Sequence, residues 1–435
     1  MKSLSYLKDY KVQSILAPLF KLLEASFELL VPLVVADIID NGINSGDKAY
    51  IFHRCLLLVL LAVVGLISAV FAQFFAAKSA TGATTKLRSA LFKKIQSLSF
   101  SQLDSIGSAT LITRMTSDVN QIQTGINMFL RLLLRSPFIV FGATIMAFYV
   151  DVMGALVFAV VVPVLAIIVA VIMSLTIPRF KGVQNKLDSV LLRTKENVKG
   201  VRVIRAFTRE DKEIAEFEEE NQSLVKLQNV ASWISSIMNP ATFVVINLGV
   251  IFLIYIGAIR VDVGVISQGA VVALYNYMSQ ILVELIKLAN LIITEMKAIA
   301  SKNRVDAILT MEEYKKPKGK DKKCDHYITF ENVSLSYNKN NEYSLNNISF
   351  TVDKGDTVGI IGGTGSGKTS VMNLLCGFYE PTSGDIILND KNILNYSDEE
   401  LNDNISVVMQ KATMFSGTVK ENITFGAKNA TTEDI

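Results

Sequence analysis

This 435-residue chain carries three cysteines, two histidines and one tryptophan. Cys55, Cys324 and Cys376 are odd in number and far apart, so no disulfide framework is available. With only His53 and His326 beside them, no metal-ligand spacing arises either. The run Cys324-Asp325-His326 reads as polar linker. An excess of one charge is missing too: 43 Lys and Arg against 40 Asp and Glu leave a net charge of +3. Such a balance implies no acidic partner, and nucleic acid is not expected. Basic residues occur near the start, but the apolar stretch after them is long and interrupted by charges. No small-residue cleavage site follows, so a removable signal peptide is not expected.

Apolar residues, by contrast, are abundant. They make up 50% of the chain, and the mean hydropathy is +0.38, too high for one soluble globule. Nearly all the long apolar runs lie before residue 300, whereas 300–435 is rich in lysine, asparagine and aspartate. A bilayer core takes roughly 20 apolar residues per helix. The runs at 55–77, 128–150, 154–178, 240–259 and 264–293 meet that requirement. The run at 15–39 is weaker, because Lys21, Glu24 and Glu28 interrupt it, and is counted as a sixth span. The expected organisation is a transmembrane domain over 1–310, a lysine-rich linker over 311–326 and a soluble domain over 327–435.

Two connections, 78–127 and 179–236, are long and basic, with Lys86, Arg88, Lys93 and Lys94 in the first and Arg193, Lys199, Arg202 and Arg205 in the second. The short loops hold few cations. The positive-inside rule therefore places both long connections and both termini in the cytoplasm, with the chain multi-pass in the cytoplasmic membrane. Leu87, Leu91, Ile95 and Leu98 follow a helical period, as do Ile214, Phe217 and Leu224. The long connections are accordingly expected as helices that extend the membrane spans. Glu24 and Glu28, one turn apart, are expected either to line a translocation cavity that favours cationic or amphipathic cargo or to form interhelical pairs. Glu284 and Lys287 are close enough on one helix to pair.

The most specific motif is Gly362-Gly363-Thr364-Gly365-Ser366-Gly367-Lys368-Thr369, which fits G-x-x-x-x-G-K-[ST] without a mismatch. Residues 357–361 before it read as a buried strand, and Ser370 onward reads as a helix. That order aims backbone N–H groups and a helix N-terminus at one point, a site for polyphosphate. In such a loop Lys368 reaches the β- and γ-phosphates and the Thr369 hydroxyl is a ligand to Mg²⁺. Further strands are expected at 327–337, 346–352, 384–388 and 405–409, with a Ser397/Glu400 capping box opening a short helix.

Taken together, these features resemble an ABC exporter half-transporter. The implied fold is an α-helical polytopic membrane domain, six spans with long cytoplasmic helical extensions, followed by a partial α/β P-loop nucleotide-binding domain. The resemblance extends over essentially the whole chain. Val333-Ser334-Leu335-Ser336-Tyr337 resembles the family's aromatic A-loop, which implies that Tyr337 stacks on adenine. Val407-Val408-Met409-Gln410 with the segment from Met414 to Ile423 resembles the Q-loop, though Met409 stands where a proline is more usual. Gln410 would then contact Mg²⁺ and the attacking water. The implied nucleotide-binding set is Tyr337, Gly362, Gly363, Thr364, Gly365, Ser366, Gly367, Lys368, Thr369, Ser370 and Gln410, with ATP and Mg²⁺ as cofactors. Lys368 and Gln410 contribute to catalysis, and Thr369 and Gln410 hold the metal.

Residues 100–107 with Arg114 and Asp118 resemble the first coupling region of that family, and 196–207 resembles the second. Val203, Ile204 and Phe207 are expected either to contact a cassette or to pack within their own hairpin. The implied partners are a second half-transporter, identical or related, the lipid bilayer, and a small or amphipathic transported substrate. No signature sequence, Walker B strand or switch histidine is found before Ile435. The expectation is a cassette truncated after the Q-loop, not competent for hydrolysis as written. The alternative is a membrane nucleotide-binding regulator that does not hydrolyse ATP.

Overall fold

Long apolar stretches with few helix breakers become long helices. The computed structural model describes residues 3–312, 314, 316–337, 343–410, 413–426 and 431; the expected linker and soluble domain therefore include positions outside the described residues. A 3₁₀ segment, Ser3–Tyr10, leads into α1 (Lys11–Asp37) and a π turn (Ile38–Ile43). There follow α2 (Lys48–Gln96), α3 (Phe100–Ile106), α4 (Ser108–Thr113), a second π turn (Arg114–Asp118), α5 (Val119–Leu132) and α6 (Arg135–Val150). Then come α7 (Val152–Ala206), α8 (Glu210–Ser236), α9 (Met238–Asp262) and α10 (Gln268–Leu309). Among the described residues, five helical stretches are long and apolar enough to cross a membrane: Lys48–Gln96, Ser108–Val150, Val152–Ala206, Glu210–Asp262 and Gln268–Leu309. They contain the five stronger runs, apart from the turn that precedes α10. The weakest run, 15–39, forms a helix but is not among the five, because Lys21, Glu24 and Glu28 place too many charges within it.

At about 1.5 Å per residue, the 55 residues of α7 reach roughly 80 Å, far beyond a bilayer core of about 30 Å. The expected helical extensions are thus continuous with the spans. Compactness divides the chain into two units, one of Met1–Phe92 with Thr113–Thr310, the other of Lys93–Ile112 with Met311–Ile435.

In the first unit the core is built by Phe158, Leu165, Leu253, Tyr277, Met278 and Ile281, with Ala143, Ala147 and Ala155 allowing close helix approach. A Cβ at Gly249 would lie 2.8 Å from Val161, so this crossing needs glycine. The Tyr277 hydroxyl donates to the Leu29 carbonyl at 2.7 Å, which ties α10 to α1. Several charges within the bundle are paired. Arg135 bridges Glu28 at 2.6 Å and Glu284 at 2.5 Å, while Glu284 also accepts from Ser136 and Lys287 at 2.8 Å. Glu24 is held by Lys21 at 2.6 Å. Glu28 thus forms an interhelical pair, whereas Glu24 pairs with Lys21 on its own helix.

Helices α7 and α8 form a hairpin sealed by Val183, Val190, Leu224 and Ala231. Arg193 on α7 binds Glu213, Glu216 and Glu220 on α8. At its tip Val203 and Phe207 are 61% and 73% exposed. These two do not pack inside the hairpin, while Ile204 is half-buried; the chain reverses at Thr208, with φ +52°, before α8 begins.

The second unit holds a four-stranded antiparallel sheet. It comprises β1 (Ile328–Leu335), β2 (Leu345–Val352), β3 (Ser383–Leu388) and β4 (Lys391–Asn392), ordered β2-β1-β3-β4. Its apolar face, with Phe330, Val333 and Ile386, packs on Val371 and Leu374 of α11 (Lys368–Leu375) and on Leu401 of α12 (Asp398–Asn404). The Ser397/Glu400 capping box is formed. Residues 357–361 and 405–409 are not strands, and this differs from expectation. Ile361 is 97% and Val408 98% exposed. A parallel strand needs neighbours on its edges to satisfy its backbone, and no strand pairs with these segments among the described residues.

Arg135→Met leaves Glu284, itself 2% exposed, without its main counter-ion, and is expected to destabilise the bundle by about 3–5 kcal/mol. The double variant Arg135→Met, Glu284→Met is expected to recover much of that loss. Thermal unfolding of the purified protein in detergent checks both.

Candidate functional site

The site is built around the turn that joins residue 361 to α11. Gly365 and Gly367 have φ of +84° and +89°, left-handed values at which a side chain is strained. A Cβ at Gly367 would also meet Leu345 at 2.6 Å and the Ser344 carbonyl at 2.8 Å. The loop therefore passes against β2 with no room for a side chain. Gly367 is the N-cap of α11, so the unpaired N–H groups of the first helical turn open onto the loop. Lys368 folds back over the loop, and its Nζ donates to the Gly362 and Gly363 carbonyls at 2.8 and 2.7 Å. Those carbonyl oxygens occupy the role that phosphate oxygens would take on the same ammonium group. Thr369 is exposed at the loop's edge, whereas Ser370 is buried.

Tyr337, at the end of β1, is brought to this loop by the fold. Its hydroxyl donates to Ser370 Oγ at 3.1 Å and accepts from Asn373 Nδ2 at 3.2 Å. Its ring meets the edge of Tyr379 at a centroid distance of 4.8 Å. Tyr379 in turn donates to the Asp104 carboxylate, and Phe378 stacks on Phe100 at 4.8 Å. Phe100 and Asp104 belong to α3, which is capped by a Ser99/Gln102 box and ended by Gly107 at φ +80°. A cavity of about 680 Å³ runs along this path, from Tyr337 past Tyr379 to Phe100. Burial, reinforced by the bond to Asp104, pushes the Tyr379 phenol above the usual tyrosine range. Burial likewise raises the neighbouring Glu380 carboxyl, one of whose oxygens lacks a hydrogen-bond partner.

Gln410 lies apart from these groups. It is exposed, and no hydrogen bond among the described residues links it to the loop or to Thr369. Lys411 and Ala412 lie outside the described residues. Beyond them a local knot forms: Asn422 accepts from the Phe415 N–H at 2.7 Å and donates to its carbonyl at 2.9 Å. Thr418 and Glu421 make a capping box for α13 (Val419–Ile423), and Phe415 stacks on Phe425.

Tyr379 and Asn373 are the site residues that the reading from sequence passed over. Asn373 follows Tyr337's partner Ser370 by one helical turn, a spacing visible in the sequence. Tyr379 sits in Phe378-Tyr379-Glu380-Pro381, where an aromatic pair before a proline turn marks a buried corner.

Comparison with known proteins gives the family. Residues 14–285 match the family described as ABC transporter transmembrane region, and 345–435 match that described as ABC transporter. The chain is 31% identical over 435 residues to the ABC transporter ATP-binding protein YfiB of Bacillus subtilis, covering 100% of this chain and 76% of that protein. It is 30% identical over 427 residues to an ABC transporter ATP-binding protein of Mycobacterium tuberculosis, covering 97% of this chain and 73% of the relative. A second Bacillus subtilis protein, YfiC, is 30% identical over 441 aligned residues, 99% of this chain and 72% of its own length.

Gly367→Ala combines a left-handed backbone with a 2.6 Å clash, and is expected to destabilise the second unit by about 1–3 kcal/mol. Denaturant unfolding followed by near-ultraviolet circular dichroism measures the change. Gly363→Ala, where a Cβ meets nothing within 4 Å, is the control expected to be nearly silent.

Proposed function

This chain belongs to the ABC transporter family, and we propose that it acts as one half of a dimeric exporter that couples ATP binding and hydrolysis to movement of a small or amphipathic substrate. It is an ABC half-transporter of exporter type, with a multi-pass helical membrane domain and an ATP-binding domain on one polypeptide. The observation that carries the proposal is the path from α3 to the phosphate loop. Residues inserted between membrane helices share a compact unit with Tyr379, Tyr337 and Ser370. A shift at the loop therefore has rigid aromatic groups through which to reach α3.

The loop's residues fit a nucleotide. Side-chain-free left-handed turns leave a cradle, and among the described residues Lys368 has the loop's own carbonyls and Ser366 as partners. In our reading Gly362, Gly363, Thr364, Gly365, Ser366 and Gly367 wrap the phosphates, Lys368 neutralises them and Ser370 adds a hydroxyl. Thr369 and Gln410 hold Mg²⁺, and Tyr337 offers its face to adenine. ATP supplies the phosphoanhydride whose cleavage resets the transporter. Gln410 reaches this position only through movement of its segment, which suits a residue that reports occupancy.

The remaining assignments follow from charge and exposure. The basic connections favour the cytoplasm for both termini, in the cytoplasmic membrane. Helix α1 serves as the sixth span, its charges at Lys21 and Glu24 neutralised by their mutual pair. The exposed Val203 and Phe207 at the tip of the α7–α8 hairpin are suited to dock on a cassette, that of this half or of its identical or related partner.

Lys368→Ala is expected to abolish measurable ATP binding in a fluorescent-nucleotide titration; retained affinity would remove the assignment of the loop. Tyr337→Ala is expected to weaken binding by about fivefold to a hundredfold, whereas Tyr337→Phe keeps the stacking face and most of the affinity. ATPase and transport assays on the assembled protein in vesicles separate an exporter from a regulator that binds ATP without turnover.

A further inference from the structure

The N-terminal segment Ser3–Tyr10 is fastened to the first unit along its length. The Ser3 N–H donates to Asp306 Oδ1 at 2.9 Å, and Asp9 pairs with Lys86 at 2.7 Å. The Tyr10 ring lies against Gly82, where a Cβ would sit 2.2 Å from it. Ser14 and Ser79 share a hydrogen bond at 2.6 Å. Held this way, the segment and the start of α1 close a cavity of about 580 Å³ against α5 and α10, within the size range of ligand sites.

The lining is apolar, with Leu7, Ile15, Ile122, Ile126, Phe129 and Ile299. Lys8, Lys11 and Lys302 add positive charge. Lys302 is taken by Asp306 at 2.9 Å. Lys8 and Lys11 are exposed and form no ion pair or hydrogen bond among the described residues. They are three positions apart, at the junction where the chain passes from polar to apolar sequence. One carboxylate, Glu295, also borders the cavity. Its Oε1 is enclosed without a partner and Oε2 lies toward Gly125, so the group is directed into packing between α10 and α5.

We propose that this cavity binds an anionic glycerophospholipid, its phosphate on Lys8 and Lys11 and an acyl chain along Ile15, Ile126 and Phe129. A wholly polar anion has no use for the apolar lining, and in a zwitterionic lipid the phosphate charge is already offset by the lipid's own ammonium group. Ile15, Phe129 and Ile299 are 62%, 45% and 54% exposed, so the apolar lining continues onto the outer face of the helices. A second acyl chain can remain in the bilayer, which favours a two-chain lipid over a free fatty acid. Basic residues at a membrane surface favour anionic lipid strongly enough that losing both lysines reduces affinity by about thirtyfold.

The test is native mass spectrometry of the full chain purified in mild detergent, with phosphatidylglycerol and phosphatidylcholine of matched acyl chains, and oleate as a competitor. The wild type is expected to retain phosphatidylglycerol over phosphatidylcholine. The double variant Lys8→Ala, Lys11→Ala is expected to lose that preference by about thirtyfold, with phosphatidylcholine adducts unchanged. Ile126→Trp, which fills the cavity, is expected to lower retention of phosphatidylglycerol while helical circular dichroism stays that of the wild type. Equal retention of the two lipids overturns the proposal, as does a preference that survives the lysine substitutions or the filled cavity. Displacement of phosphatidylglycerol by equimolar oleate makes the ligand a free carboxylate and overturns it as well. Retention of dodecylamine in place of either lipid, lost on Glu295→Gln, points to a cationic ligand with the same consequence.

Discussion

A guanidinium group buried in an apolar helical bundle has to be paired, and the arrangement around Arg135 follows from that constraint. Arg135 is 6% exposed, and its partners Glu28 and Glu284 come from α1 and α10, far apart in sequence. Leaving Arg135 or Glu284 alone in such surroundings would cost several kcal/mol. Pairing them therefore obliges α1, α6 and α10 to stand together. The same geometry accounts for α1, a helix interrupted by three charges that nonetheless buries Ala17 and Ala25 completely. Around this cross-link the small residues Ala143, Ala147 and Gly249 allow the backbones to approach, and the long apolar side chains fill what remains.

The second unit is governed by a different constraint, the absence of a side chain at Gly367 in the glycine-rich loop. Gly367 must pass β2 without a Cβ, and that close approach sets where α11 begins. Once α11 is placed, Ser370 and Asn373 are presented to Tyr337, and Tyr337 to Tyr379. Helix α3 joins this unit through Phe100 and Asp104, although in sequence it interrupts the membrane domain. The glycine-rich loop and a segment lying between membrane helices are thereby set in one compact unit.

Much of this was legible in the residues. The glycine loop, the Ser397/Glu400 capping box and the five strong apolar runs carry local signals that do not depend on distant contacts. So do β1, β2 and β3, whose alternating or apolar patterns match the observed ladders within a residue or two. Residues 357–361 and 405–409 have equally strand-like sequences yet make no ladder, because a strand is a property of neighbours as much as of the segment. Glu24 and Glu28 were ambiguous for a related reason. A carboxylate in an apolar run signals a partner or a cavity, and only the approach of Lys21 and Arg135 distinguishes the two.

The amino-acid sequence by itself determined the membrane and nucleotide halves, the family, the phosphate loop and the helical character of the long connections. Each of these is written in short-range patterns of hydropathy, charge and glycine. The tertiary structure alone decided that Arg135 pairs with Glu28 and Glu284, that Tyr337 bonds to Ser370, that α3 packs with the nucleotide unit, and that the N-terminal segment borders a cavity beside Lys8 and Lys11. Those outcomes depend on contacts between residues tens to hundreds of positions apart, and pattern along a chain does not encode distance across a fold.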